Sequence, residues 1–375
     1  MKKSLGLYLH IPFCLQKCYY CDFCSFSGNT EERMASYVEE LCRRMAGMAP
    51  SAADSVVDTV YFGGGTPTLL PLSCFERLLS LIRERYEVSE NCEITCECNP
   101  ATADLDKLRG LRSLGIDRLS IGLQSAHDRE LALLGRAHSF ADFERIFSDA
   151  RRAGFDNLSA DLMYGIPEQT LESFRHSLEQ LRALAPEHIS AYGLKIEEGT
   201  PFFFRRDRLR LPDEDTEYAM YLLCGELLGE RGYEKYEISN FARKGRESRH
   251  NLRYWLGEEY LGFGVAAHSC FGGVRFGNSR DMAGFLGGQD ITAERTVLTE
   301  RDRFNEYVML RLRLTRGIDG ADFFRRFGQT PREAFPQLGA LIQGGLIRER
   351  EGRYSFTDHG FFVSNAILAQ LLRFD

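Results

Sequence analysis

The sequence predicts an α/β fold: an open, partial (β/α)6 barrel followed by a smaller, mainly helical unit of winged-helix character. Two observations carry this. Six short β-rich runs recur in the first half of the chain, each followed by a longer stretch of helical pattern. Repeated β–α units imply a parallel sheet with right-handed crossovers. After residue 197 the rhythm changes, in a chain of 375 residues. That length exceeds the size at which one core usually stops growing, so a large unit and a smaller one are expected.

The runs, in order, are LGLYLHI (5–11), TVYFGGG (59–65), CEITCEC (92–98), RLSIGLQ (118–124), NLSADLMYGI (157–166) and HISAYGLKI (188–196). Helical patterns lie between them at 32–46, 74–86 and 141–154, the last ending in Gly154, a plausible helix stop. Six units are too few to close an eight-fold ring, so the barrel is expected to be TIM-like but incomplete. Beyond it, RRDRLRLPDED (205–215) reads as a charged surface loop, 216–232 as a helix, and RKGRESRHNLR (243–253) as a strongly basic stretch. LIQGGLIREREGRYSFTDHG (341–360) has the pattern of a helix, a hairpin and a following helix. The expected division is 1–235, 236–290 as a connecting segment, and 291–375.

Hydrophobic residues make up 43% and charged residues 27%, with a net charge of −7. Such a chain has no global attraction to nucleic acid or anionic lipid. The C-terminal unit lacks a dense basic recognition helix, so a DNA-binding role is not expected. His10 and Pro12 interrupt the only apolar run near the N-terminus, and no stretch is long enough to span a bilayer. A cytoplasmic location follows as an expectation, and there thiols stay reduced.

That makes HIPFCLQKCYYCDFC (10–24) informative. Cys14, Cys18 and Cys21 read CxxxCxxC, and Cys24 follows. Disulfides, zinc, an iron–sulfur cluster and packing are the alternatives. Eleven cysteines, an odd number, fit a disulfide framework poorly. Zinc sites commonly use two separated ligand pairs, and no second CxxC lies downstream. Three thiolates within eight residues, on a loop after the first strand, suit an iron–sulfur cluster with one open iron. In CEITCEC, alternation puts Cys92, Ile94, Cys96 and Cys98 on one strand face, the one packed under helices, and Glu93, Thr95 and Glu97 on the other.

CLQKCYYC resembles the signature of radical S-adenosylmethionine (SAM) enzymes. Its setting, YLHIPFCLQKCYYCDF, resembles the branch containing oxygen-independent coproporphyrinogen III oxidase and the HemW heme chaperones. The resemblance continues through YFGGGTPT, RLSIGLQS, DLMYGIP, YGLKIEEGTPF and YEISNFA, and so covers most of the chain. It implies a radical SAM barrel with a HemN-like C-terminal domain and a 4Fe–4S cluster on Cys14, Cys18 and Cys21. SAM would be held at its methionine end by Gly64, Gly65 and Thr66, and contacted by Tyr8 and Tyr20. Glu97, Gln124, Arg136 and Asp161 match family positions around one or two SAM molecules. Carboxylates suit the ammonium and ribose hydroxyls, and Arg suits a carboxylate. The implied reaction is one-electron reduction of SAM to methionine and a 5′-deoxyadenosyl radical, with an external reductant for the cluster. No residue is assigned as a catalytic acid, base or nucleophile.

Within that branch the sequence favours the heme carrier over the enzyme of porphyrin biosynthesis. Only seven residues precede Tyr8, whereas the oxidases carry a longer arm. Phe23 stands where the oxidase pattern has a cysteine, and Cys24 reads as a spare thiol. HNLRYW (250–255) resembles the HNxxYW motif of heme-binding HemW proteins. That resemblance implies His250 as an iron ligand, with His268 ranked second. Tyr254 and Trp255 would lie against the porphyrin, and Arg246, Arg249 and Arg253 would meet its propionates. The expected partners are heme, a heme-requiring client (a respiratory, membrane-associated protein is one option) and the reductant. The alternative is an oxidase that decarboxylates coproporphyrinogen III.

Overall fold

The computed structural model describes residues 2–373. Its centre is the expected run of β–α units: β1 (Lys3–Ile11), α1 (Glu31–Met48), β2 (Ser55–Gly64), α2 (Leu72–Arg85), β3 (Val88–Cys98), α3 (Leu105–Ser113), β4 (Arg118–Gln124), α4 (Asp128–Leu134), α5 (Phe140–Arg152), β5 (Leu158–Tyr164), α6 (Leu171–Leu184) and β6 (His188–Gly193). The six strands are adjacent in sequence order and all parallel. β4 covers the expected residues, while β3 begins at Val88, four residues before the apolar run that announced it.

Alternation along the strands explains the layering. Leu5, Leu7, Leu9 and Ile11 of β1 are fully buried beneath the helices, as are Leu119, Ile121 and Leu123 of β4. Each such side chain contributes about 1.5–3 kcal/mol. The opposite face of β4 carries Arg118, Ser120, Gly122 and Gln124, all lining the barrel interior. The interior is therefore polar and the outer face apolar. Capping boxes at Ser139 and Thr170 start α5 and α6, and Gly154 follows the end of α5 with a positive φ.

The chain then returns to both edges of the sheet. After α7 (Pro201–Arg205) and α8 (Glu214–Gly229), β7 (Glu234–Lys235) and β8 (Asn240–Ala242) add antiparallel beyond β6. α9 (Arg249–Leu256) follows, and β9 (Tyr260–Phe263) pairs parallel with β1. β10 (His268–Phe271), β11 (Val274–Asn278), α10 (Met282–Leu286) and β12 (Thr292–Val297) complete an antiparallel meander. The result is a twelve-stranded sheet with β12 as one free edge, exposed along its whole length. Residues 236–290, expected as a connection, are woven into this sheet at both ends. HNLRYW lies on helix α9, not in a basic loop.

The last part holds α11 (Glu300–Leu312), β13 (Ile318–Asp319), α12 (Gly320–Phe327), α13 (Pro331–Ala334), α14 (Leu338–Gln343), β14 (Ile347–Arg350), β15 (Arg353–Phe356), α15 (Asp358–Phe362) and α16 (Ser364–Leu371). The sequence α14–β14–β15–α15 is the expected helix–hairpin–helix. A three-stranded sheet and a core around Phe304, Phe323 and Phe356 make this a second packing unit, joined by Tyr221 of α8. Among the described residues no helix is long and apolar enough to cross a membrane.

α9 closes the lower end of the barrel. The Arg253 side chain is only 2% exposed and pairs with Asp58. It also donates to Ser4 Oγ at 2.7 Å and to the Glu259 carbonyl at 3.1 Å. An Arg253→Met substitution leaves those acceptors without their donor. The expected loss is about 2–4 kcal/mol, read as a lower midpoint of chemical unfolding; an unchanged midpoint would show that the guanidinium does not secure the helix.

Candidate functional site

The upper ends of β1–β6 open onto a cavity of about 590 Å³. Cys14, Cys18, Cys21 and Tyr20 line one wall, Gly64, Gly65 and Thr66 a second, and Glu97, Gln124, Arg136 and Asp161 the floor and far side. The structure thus gathers eleven of the twelve residues expected to hold the cluster and SAM, Tyr8 being the one that does not line the cavity. His250, His268, Tyr254, Trp255 and the three arginines expected at heme lie outside its lining.

The thiols sit on an excursion between β1 and α1 whose ends are clasped together. Cys14 N donates to Phe26 O at 2.9 Å, and Phe26 N to Pro12 O at 2.7 Å. Further bonds fix the loop from outside: Tyr19 N to Leu134 O at 3.0 Å, Gln16 Nε2 to Gly135 O at 3.1 Å, and a His10 Nε2–Cys24 O contact of 2.8 Å. Cys14, Cys18 and Cys21 are free and partly exposed. Cys24 is 5% exposed and packs into the main core, away from the cavity wall. Thr66 Oγ1 donates to Cys14 Sγ at 3.7 Å, and Arg136 Nη1 to Cys18 Sγ at 3.6 Å. Burial, reinforced by the neighbouring thiols Cys18 and Cys14, pushes the Cys21 thiol up to about 11. It therefore stays protonated until a metal displaces the proton. Among the described residues no three His, Cys, Asp or Glu side chains converge tightly enough to hold a single ion. An iron–sulfur cube needs no such convergence, because each thiolate takes a separate iron corner.

The glycine segment approaches this loop closely. A Cβ on Gly65 would lie 2.7 Å from Phe13 O, and one on Gly64 would lie 2.5 Å from the His10 ring. Gly64 also has φ +111°, which side-chain-bearing residues rarely adopt. The amides here are already engaged: Gly64 N with Glu97 Oε2 at 3.0 Å, Gly65 N with Ile11 O at 2.9 Å, Thr66 N with Phe13 O at 2.7 Å. Close approach, not free N–H groups, is what the segment offers a ligand.

Glu97 is held at its other oxygen by Tyr61 Oη at 2.8 Å. Burial raises its pKa to about 7, against the pull of those hydrogen bonds. Burial also raises Asp161, whose Oδ1 accepts from Ser120 Oγ at 3.2 Å. Gln124, 3% exposed, has φ +66°, a strained backbone for a residue other than glycine. Gln124 Oε1 and Arg136 Nε are both buried without a partner. Orphaned polar atoms at a cavity wall are the mark of a polar ligand's place. Arg118 belongs to the same set. It is 1% exposed, lines the cavity, and has an unpartnered Nε beside the charges of Glu97 and Asp161. Tyr61 and Arg118 were not singled out from the sequence. Both fall on inward-facing positions, Tyr61 in register with Gly63, and Arg118 with Ser120 and Gly122.

The HNLRYW motif lies beneath the cavity, on α9. His250 is 1% exposed. Its Nδ1 meets Thr59 Oγ1 at 2.9 Å and its Nε2 meets Tyr254 Oη at 2.8 Å. Tyr61 and Tyr8 stack against it with ring centroids 5.2 and 6.4 Å away. Burial, helped by Arg253 and Arg118, lowers its pKa to about 3. A neutral imidazole with both nitrogens engaged presents no electron pair to a metal. The three arginines are occupied too: Arg246 with Asp156 at 3.5 Å, Arg249 with Asn91 O at 2.5 Å, and Arg253 as described above. The physical reason is the helix. Glu93 accepts from the amides of Arg249 and His250, both at 3.2 Å, and turns the motif inward as a plug. Tyr8, expected beside the cluster, lies in this lower layer and reaches His10 Nδ1 at 3.1 Å.

Residues 8–181 match the Radical SAM superfamily, and residues 298–363 match the HemN C-terminal domain. The chain is 34% identical to the heme chaperone HemW of Bacillus subtilis, over 97% of this chain and 98% of that one. It is 34% identical to the Escherichia coli heme chaperone HemW, over 98% of each. It is 37% identical to that of Synechocystis sp., over 97% of this chain and 95% of that one. Among solved structures, coproporphyrinogen III oxidase (HemN) from Escherichia coli, a radical SAM enzyme, superposes with a TM-score of 0.86. That match has 25% identity and covers 99% of this chain and 90% of that one.

The state of His250 sets a pH dependence. Between the ordinary value of 6.5 and about 3, the unfolded chain holds a proton that the folded protein refuses. Stability from this group is present above pH 6.5 and is lost as pH falls through that interval. His250→Gln should flatten the acid limb of unfolding free energy against pH by about one proton. An acid limb of unchanged slope would mean that His250 is not the buried neutral group described.

Proposed function

We propose, from the premise that this chain belongs to the HemW family of radical SAM proteins, that it binds heme and delivers it to client proteins while carrying a 4Fe–4S cluster and SAM. The observation that carries this reading is similarity to curated heme chaperones over nearly the full length of both chains. The residues present fit the cluster and SAM: three free thiols on one clasped loop, and three orphaned polar atoms in the facing wall.

In this proposal Cys14, Cys18 and Cys21 each take one iron, and the fourth iron is left for SAM. Bound together, cluster and SAM supply one-electron chemistry. The chain's own residues do the rest. Thr66 and Arg136 donate to two of the thiolates and so temper their charge. Gly64 and Gly65 let the ligand approach the strand ends. Glu97 and Asp161 offer carboxylates to its ammonium and hydroxyl groups, Arg136 a guanidinium to its carboxylate, Gln124 a side-chain amide to its polar groups, and Tyr20 a wall beside the thiols. Tyr8 supports that wall from below through His10. His250 serves as the buried strut that seats α9 on β2. Residues 1–235 supply every cluster and SAM ligand, which makes them one functional unit, with 236–290 and 291–375 attached. The partners in this reading are heme, a client and a reductant, with no nucleic acid. A cytoplasmic location belongs to it because the thiols must be reduced to load iron.

The overall likeness to coproporphyrinogen III oxidase supports a second reading, that of an enzyme acting on that porphyrinogen. Anaerobic incubation of reconstituted protein with SAM, reductant and coproporphyrinogen III separates the two. The chaperone reading expects saturable heme binding and no protoporphyrinogen; efficient protoporphyrinogen formation would replace it with the oxidase. The cluster assignment has its own check. Replacing Cys14, Cys18 and Cys21 together by alanine should abolish the cube-type absorbance and paramagnetic signal after iron and sulfide loading, whereas Cys24→Ala should retain them.

A further inference from the structure

Two neighbouring tyrosines separate the two sides of the thiol loop. Tyr20 lines the cavity, whereas Tyr19, directly after Cys18, does not. Tyr19 packs outward instead. Its ring rests on Gly135 at the end of α4, where a Cβ would lie 3.0 Å from it. Its carbonyl accepts from Phe202 N of α7 at 3.0 Å, and the Phe202 ring is centred 6.3 Å away. The Arg205 guanidinium lies over the same tyrosine, 5.8 Å from its centroid. The short helix α7 therefore covers the outer flank of the loop, against the residue that follows one of the three thiols.

The surface of that flank is unlike the rest of the chain. Phe204 is 76% exposed, the most exposed large apolar side chain among the described residues, and Leu15 of the thiol loop is 54% exposed. Around them FFRRDRLR (203–210) carries four arginines, all exposed, against one aspartate. Arg206 stacks over Phe203 at 4.7 Å and lies 3.9 Å from Asp207, and Arg210 pairs with Glu168 at 3.0 Å. Arg205 and Arg208 have no carboxylate partner among the described residues. A chain of net charge −7 thus gathers cations around a bare aromatic ring where α7 meets its thiol loop. An exposed phenylalanine contributes nothing to the core, so the fold itself does not account for it.

We infer that this flank is the docking face for the protein that reduces the cluster, a small acidic one-electron carrier of the ferredoxin or flavodoxin class. The assignment rests on the cluster reading above. Carboxylates of the carrier meet Arg205, Arg206 and Arg208, while apolar surface at its redox centre meets Phe204 and Leu15. One electron leaves the reduced carrier and enters the cluster; no bond forms or breaks and no proton moves. A small apolar contact inside a charged rim suits a brief encounter, and the carrier must leave after each electron. Repulsion by an otherwise acidic chain keeps such a carrier off the remaining surface. A lipid surface fits less well, because α7 has only five residues, far fewer than helices that lie in a membrane interface.

Anaerobic measurements on the full-length, cluster-loaded protein test this, with an acidic ferredoxin and an acidic flavodoxin as probes. Carrier binding is read by fluorescence anisotropy and cluster reduction by stopped flow. The proteins compared are wild type, the triple variant Arg205→Glu/Arg206→Glu/Arg208→Glu, Phe204→Ser, and Arg85→Glu at the opposite end of the barrel. At least one carrier should bind wild type and Arg85→Glu alike, with affinity that falls as salt is added. The triple variant should bind at least about tenfold more weakly, accept electrons correspondingly more slowly, and lose the salt dependence. Phe204→Ser should weaken binding with its salt dependence intact. Dithionite, which needs no docking face, should reduce the cluster equally in all four. Equal carrier binding by wild type and the triple variant, or none by wild type, would overturn the docking face. Arginine-dependent capture by phosphatidylglycerol vesicles in place of the carriers would give the face to a membrane and overturn it too. Absence of any dithionite-reducible cluster signal in wild type would instead overturn the cluster reading.

Discussion

An incomplete barrel cannot fill its own interior. In a closed eight-stranded ring, layers of side chains from opposite strands meet and pack the axis. Six parallel strands leave one side without a facing wall, and a cavity of about 590 Å³ results. Much else in the molecule answers that constraint. α9 enters from below and stops the lower end with His250 and Arg253. The clasped thiol loop bends over the upper end. β9 and β8 continue the sheet past β1 and β6, so that neither border of the six-stranded core is left unpaired.

The same constraint shapes the electrostatics. A polar lining that no packing covers must balance its charges internally or with a ligand. Glu97 and Asp161 face Arg118 and Arg136 across the cavity without a direct ion pair among them. Burial holds both carboxylates above their ordinary range. Hydroxyls from Tyr61 and Ser120 occupy part of their acceptor capacity. What remains open, Gln124 Oε1 and the two arginine Nε atoms, is a set of directional groups that water or a polar ligand must satisfy. Below this layer Thr59, Tyr8, Tyr61 and His250 form a tightly paired shelf, so the floor is rigid where the wall is receptive.

Much of this was legible in the sequence. Strand alternation is strict where one face is apolar, which is why β1 and β4 could be read to within a residue or two. The cysteine spacing is local, so Cys14, Cys18 and Cys21 declared themselves, and parity along 92–98 separated Glu97 from the buried cysteines. Tyr61 and Arg118 escaped because their neighbours in space come from other strands. The parity signal existed, but tyrosine and arginine within apolar runs also read as ordinary edge residues. The burial of His250 was hidden for a related reason. HNLRYW looks like an open basic motif until Glu93, more than a hundred and fifty residues earlier, caps its helix and turns the imidazole inward. Short-range pattern reveals which residues share a face; only the long-range register reveals what stands opposite them.

β12 is a free border of the sheet. A fully solvated strand at the margin of a twelve-stranded sheet offers a row of unpaired amides to any passing chain. Its sequence, TAERTV, sets Glu294 toward one surface and Arg295 toward the other. A second molecule adding there in register would have to strip water from a like charge on either side of the ribbon. The chain can thus leave one sheet margin uncovered and still resist polymerising into open-ended stacks.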